Sequence, residues 1–155
     1  MLERQEELKL PTPGGVIMLS PWLDMSRSTS GNSPNILTDW LTMFDSDGMR
    51  INIIDVYLGT EIKSATDPRV SPLWRDLSPK LPKQFLSAGT AEVLFADSEA
   101  WAEKVKESLG EDAIECHFAE DQVHTFAIGG WIADPKVLKE SDRRLLSFVN
   151  QVTQG

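Results

Sequence analysis

Three short apolar runs, separated by amphipathic chain, constrain this sequence most. Val16-Ile17-Met18-Leu19 is wholly apolar and is followed by Ser20-Pro21, which reads as a strand buried on both faces, as in a parallel sheet. Phe85 to Gly89 and Ile114 to Phe118 are two further strand candidates. Asp97 or Ser98 can cap a helix whose face is Trp101, Val105 and Leu109 and which Gly110 closes. Asp134 and Pro135 form an N-cap and first-turn pair. The helix they open carries Leu138, Leu145, Phe148, Val149 and Val152 along one stripe. The spacing predicts strands near 16–20, 85–89 and 113–118, and helices near 97–109 and 136–152. Strands separated by helices of this length imply right-handed crossovers and a parallel sheet with helices on both faces, a three-layer α/β fold.

The remaining chain is less regular. Residues 1–9 read as a polar lead-in or the end of a helix, stopped by Pro11 and Pro13. Residues 24–35 form a polar loop rich in Ser and Asn. Residues 38–58 read as a helical excursion, with Thr38 and Asp39 as N-caps for Trp40, Leu41 and Phe44. Met49, Ile53 and Tyr57 then recur at helical spacing until Gly59. Residues 60–84 read as ordered irregular chain around Trp74, broken by Pro68, Pro72, Pro79 and Pro82. We expect one domain over 1–155, with 36–84 as an excursion within it; 155 residues suffice for a single core.

Composition excludes several classes of function. Lys plus Arg number 15 against 24 for Asp plus Glu, a formal charge of -9, which argues against nucleic acid and anionic membrane as partners. One cysteine, Cys116, leaves no internal disulfide framework and no cysteine zinc cluster. Two histidines, His117 and His124, leave no multi-histidine metal site, so neither metal nor cofactor is expected. No apolar run reaches the roughly 18 residues of a membrane helix. The start, MLERQEELKLP, is too polar for a signal peptide, so a reducing, cytoplasmic setting is expected.

In an open parallel sheet, ligands bind beyond the carboxyl ends of the strands. Glu92 follows the second strand candidate and His124 the third. A carboxylate beside an imidazole is the orienting half of a nucleophilic triad. A Glu after a strand is also an ordinary helix N-terminal charge, and a lone His an ordinary surface or core residue, so the residues alone leave both readings open. Asp97 is a reserve acid. His117 lies inside its strand and reads as packed or surface-exposed, and Cys116 as a small core residue.

Four stretches, in order along nearly the whole chain, resemble the hormone-sensitive-lipase-like α/β-hydrolases, a carboxylesterase and lipase family. They are Leu19-Ser20-Pro21-Trp22-Leu23-Asp24 with Ser26, Ser28 and Ser30; Tyr57-Leu58-Gly59 with Asp67-Pro68-Arg69-Val70-Ser71-Pro72-Leu73; Ser87-Ala88-Gly89-Thr90-Ala91-Glu92-Val93-Leu94; and His124-Thr125-Phe126. The resemblance implies that Glu92 is the triad acid and His124 the triad base. Glu120-Asp121-Gln122-Val123 departs from the family's usual approach to the base.

The resemblance also implies a nucleophile elbow, Gly-x-Ser-x-Gly, and a His-Gly-Gly oxyanion motif. The sequence contains neither, so it resembles the C-terminal half of the fold, a truncated domain. Ser20, Ser71 and Ser87 lie near strand ends but lack the flanking glycines of an elbow. Three functions follow. The chain is one piece of a carboxylic-ester hydrolase; or a truncated enzyme using Glu92 and His124 as general acid and base on an apolar small molecule; or a non-catalytic binding remnant. Met1 favours a natural gene start over a cut. A half-sheet exposes the edge of the 16–19 strand, so a homodimer or a complementing half-domain is expected there.

Overall fold

The structure, a computed structural model, describes residues 8–41, 53–128 and 132–154. Strand β1 spans Gly15–Leu19, β2 Lys83–Gly89 and β3 Ile114–Ala119. Among the described residues they form one parallel sheet in the order β1-β2-β3. Ile17 pairs in register with Phe85, and Phe85 with Glu115; Met18, Leu86 and Cys116 form the next row. Helix α1 spans Ile53–Leu58, α2 Phe95–Leu109 and α3 Pro135–Thr153.

Adjacent residues of a strand point to opposite faces, and β2 uses both. Leu86 packs with Trp101, Ala102 and Val105 of α2, joined by Leu23 and Ile114. Phe85 points the other way and meets Phe148 of α3, ring centroids 5.6 Å apart. The two helices therefore cover opposite faces of the sheet, giving the expected three layers. Burying β2 so completely requires its polar residues to be paired: the Trp101 indole N–H donates to Gln84 Oε1 at 2.8 Å.

Several local expectations need correction. β1 is not buried on both faces; it is half-buried, and Ile17 is 44% exposed. The reason is position, since among the described residues β1 lies at an edge and pairs with β2 alone. It also stops at Leu19, because Ser20 turns out of the strand with φ +48°. Neither Asp97 nor Ser98 caps α2, which begins at Phe95. Asp97 is instead fully buried, and Oδ2 accepts the backbone N–H groups of Leu23 at 3.1 Å and Asp24 at 3.0 Å. Its other oxygen accepts from the Thr29 hydroxyl. Asp24 is likewise buried, accepting the N–H of Ser26 at 2.9 Å and of Ser28 at 2.8 Å, and the Trp74 indole at 2.9 Å. Burial alone would raise the Asp24 carboxyl, but the Ser26 and Ser28 hydroxyls and Trp74 outweigh it and hold it at about 2. The 24–35 loop is thus an ordered cradle around two carboxylates.

Thr38 and Asp39 stand just before the expected helix, which begins as a 3-10 turn at Trp40 and Leu41. Asp39 Oδ1 accepts the Leu41 N–H at 3.3 Å, and the continuation of the helix lies outside the described residues. Thr38 and Asp39 themselves follow a 3-10 turn over Pro34–Leu37, where the Ser33 hydroxyl accepts the Asn35 N–H at 3.3 Å. Phe44, Met49 and Trp131 lie outside the described residues. Helix α3 starts as expected, with the Asp134 carboxylate accepting the Lys136 N–H at 2.7 Å. Among the described residues, no helix is long and apolar enough to cross a membrane.

Candidate active site

The carboxyl ends of β2 and β3 lead into two turns that are sewn together by backbone hydrogen bonds. Thr90 N–H donates to Ala119 O at 2.9 Å and Ala91 N–H to Gln122 O at 3.0 Å. The Asp121 N–H donates to the Thr90 hydroxyl at 2.9 Å. Glu92 sits in the first turn, fully buried, and His124 in the second. His124 Nδ1 stands 3.8 Å from Glu92 Oε2. That is ion-pair range and about 1 Å longer than a good hydrogen bond. Both His124 Nδ1 and Glu92 Oε1 are buried with no hydrogen-bond partner among the described residues.

A third segment, residues 35–40, clamps the two turns. The Asn35 side-chain amide donates to Thr90 O at 2.8 Å and to Glu92 O at 3.0 Å. The Asp39 carboxylate spans both turns, with Oδ2 accepting the Val93 N–H at 2.7 Å and Oδ1 the His124 N–H at 3.3 Å. The Trp40 indole donates to His124 O at 2.8 Å, and its ring lies 5.6 Å from the imidazole. Ser20 reaches in from β1, donating its hydroxyl proton to Glu92 Oε2 at 2.6 Å and accepting the Thr125 N–H at 2.9 Å.

Sequence reading weighed Ser20 as a spare nucleophile and Asp39 as a helix cap, and gave Asn35 and Trp40 no role at the site. Their partners lie far along the chain, so no local pattern marks them. The other candidates stand apart. Ser71 donates to Ala65 O at 2.5 Å and accepts the Met25 N–H at 2.7 Å. Ser87 Oγ lies 3.4 Å from His117 Nδ1. His117 is buried, edge-on to Phe126 at 6.1 Å, and burial lowers its titration. Cys116 is half-buried, and burial pushes its thiol up. Asp97, the reserve acid, is committed to the Leu23–Asp24 backbone. Among the described residues, no three or more His, Cys, Asp or Glu are grouped so as to hold a metal ion.

Burial dominates the electrostatics. It pushes the Glu92 carboxyl up to about 7, with Asp39 and Asp97 adding to the rise and the Ser20 hydroxyl opposing it. Burial also lowers His124, partly offset by Asp39. A carboxyl raised on folding stabilises the protein fully below its ordinary value of 4.5, and that contribution is lost as pH rises through about 7. Glu92→Gln removes the loss. It should make the protein roughly 2 kcal/mol more stable at pH 8, with little change at pH 5. Urea unfolding at the two pH values checks this; an equal effect at both would mean that Glu92 ionisation is not what costs stability. Lowered His124 works the other way, its contribution being lost as pH falls below 6.5 and through its folded value.

A carboxylate facing Nδ1 selects the imidazole tautomer with its proton there, leaving Nε2 as a base. Known proteins carry similar chains. An esterase of Acinetobacter venetianus is 34% identical over 107 residues, covering 69% of this chain and 33% of that esterase. A hormone-sensitive lipase from a metagenome library superposes with TM-score 0.76 at 26% identity, over 98% of this chain and 48% of its own. The hormone-sensitive-lipase homologue EstE7, also metagenomic, gives TM-score 0.74 at 25% identity, over 97% of this chain and 49% of its own. The chain thus spans about half the length of these solved structures. A family profile described as alpha/beta hydrolase fold matches residues 1–128. By that match and the three-layer parallel architecture, the chain belongs to the α/β-hydrolase-fold family.

Proposed function

We propose that this chain supplies the acid and base of a carboxylic-ester hydrolase, Glu92 and His124, to a serine nucleophile lying outside these 155 residues. The observation that carries the reading is the buried Glu92 carboxylate, 3.8 Å from His124 Nδ1, at the carboxyl ends of adjacent parallel strands. In this reading His124 Nε2 takes the serine proton as the oxygen attacks the ester carbonyl, and returns it to the departing alcohol oxygen. Glu92 closes on Nδ1 as the imidazolium forms, because charge strengthens the bond and shortens it. Water then repeats the cycle on the acyl-serine. An apolar pocket lined by Trp22, Met25, Ile53 and Tyr57 begins two residues beyond Ser20 and suits an apolar part of the ester.

The test is to join the portion of the Acinetobacter venetianus esterase that this chain does not match to residues 1–155, and to assay an activated short-chain ester. The joined protein should turn the ester over and be labelled by a fluorophosphonate, while the chain alone should do neither. A serine labelled in the chain alone would overturn the reading, as would a folded, inactive joined protein.

The nucleophile-bearing half, or in its absence a second copy, is proposed to sit on the outer edge of β1. No strand among the described residues pairs there, and Ile17 is exposed beside it. Sedimentation of the isolated chain at low micromolar concentration should show a dimer. A clean monomer of 17.3 kDa would mean that the edge is covered from within.

A further inference from the structure

We propose that Ser20 is a positioning residue for the acid–base pair, its hydroxyl tying the Glu92 carboxylate to the backbone of the His124 turn. This rests on the roles given above to Glu92 and His124, but neither its geometry nor its test needs turnover. Ser20 is the first residue past β1 and is buried. Its N–H donates to Ser87 O at 2.7 Å, which anchors it to β2. Its single hydroxyl proton goes to Glu92 Oε2 at 2.6 Å, and a lone pair accepts the Thr125 N–H at 2.9 Å. The oxygen it holds is the one that faces His124 Nδ1.

The backbone shows that the residue is held there against its preference. Ser20 has φ +48°, a region costly for a side chain with a Cβ, and it precedes Pro21, which narrows its choices further. Glycine would sit there at less cost, so the conformation alone does not call for serine. What serine adds is one donor and one acceptor in the gap between Glu92 and Thr125. Because that donor is spent on the carboxylate, Ser20 is not a spare nucleophile. The other groups bearing on Glu92 are the Gly89 backbone, which favours its ionisation, Asp39 and Asp97, which oppose it, and His124. Among side chains, the Ser20 hydroxyl is thus the donor that holds Glu92 in its ionised form.

The experiment is a carbon-13 NMR titration of the Glu92 carboxyl and the His124 imidazole in the 155-residue chain, alongside urea unfolding. Ser20→Gly removes the hydroxyl and relieves the backbone. The Glu92 midpoint should rise by about one pH unit, and the His124 ring signals should broaden, with urea resistance near that of wild type. Ser20→Thr keeps the hydroxyl but puts a branched Cβ at positive φ. It should lose urea resistance while leaving the Glu92 midpoint near wild type. A purely structural Ser20 would give the reverse, with urea resistance changed in Ser20→Gly and the midpoint unmoved. That outcome would sink the proposal. Should either variant fail to fold, the wild-type Thr125 amide decides: slow hydrogen exchange supports the Ser20 bond, and exchange at the unprotected rate overturns it. If Ser20 passes and the joined protein hydrolyses no ester, the catalytic reading fails and the positioning contact stands.

Discussion

Replacing Gly89 by alanine should destabilise the protein by about 3 kcal/mol or more and drive the His124 turn away from Glu92. A Cβ at position 89 would lie 2.0 Å from Gln122 O and 2.5 Å from the Gln122 carbonyl carbon. Both are backbone atoms, so no rotamer change relieves the overlap, and the turn must move by more than an ångström. The same Gln122 O accepts the Ala91 N–H, so movement also breaks the stitch between the two turns. Gly89 is therefore the residue that lets the ends of β2 and β3 approach closely enough for Glu92 and His124 to face each other. Urea unfolding measures the stability loss, and the His124 amide and ring signals report displacement. Gly31→Ala is the control, since its Cβ would meet only the Arg27 Cβ, at an ordinary 3.6 Å. A Gly89→Ala protein as stable as that control would refute the close approach.

His124→Ala in the joined protein should lower ester turnover by about a thousandfold or more, in kcat rather than KM. The loss is that of the base, because no other imidazole stands at this site; His117 is held between Ser87 and Phe126. Glu92→Gln should cost on the order of ten-thousandfold, since an amide facing Nδ1 no longer selects the tautomer that leaves Nε2 free and the imidazolium loses its counter-charge. The folded structure should tolerate His124→Ala. What fastens this turn is backbone, His124 N–H to Asp39 and His124 O to the Trp40 indole, and both bonds survive removal of the ring. The Nδ1 that is lost has no hydrogen-bond partner among the described residues. Circular dichroism and urea unfolding near wild type, together with the collapse of turnover, would separate chemistry from folding. Unchanged turnover would eliminate His124 as the base.

Much of the architecture was legible from local pattern. The apolar runs at 16–19, 85–89 and 114–118 became β1 to β3 with ends shifted by one or two residues, and Asp134-Pro135 opened α3 as its residue types require. Hydrophobic period and capping chemistry act over a few residues, so a sequence carries them openly. Glu92 and His124 could be named as a pair because strand ends place turns predictably, and the family resemblance pointed to the same two positions.

What surrounds that pair was decided by tertiary structure. Ser20 bonds to Glu92 across 72 residues and to Thr125 across 105. Asp39 bonds to His124 across 85 residues, and Asp97 to Leu23 across 74. Each is a short polar side chain whose local sequence fits a cap or a turn equally well, and Asp39 and Asp97 both invited that reading. Its partner is chosen only when the sheet register brings β1, β2 and β3 side by side and the backbone donors of the turns must be satisfied away from water. Exposure of Ile17 followed the same logic: its apolar neighbours made it a strand residue, but only the order β1-β2-β3 among the described residues left it at an edge. Local pattern sets what each segment becomes, because propensity and periodicity act within the segment. Register and strand order set which polar groups meet, because hydrogen bonding acts through space, and this site is built from such meetings.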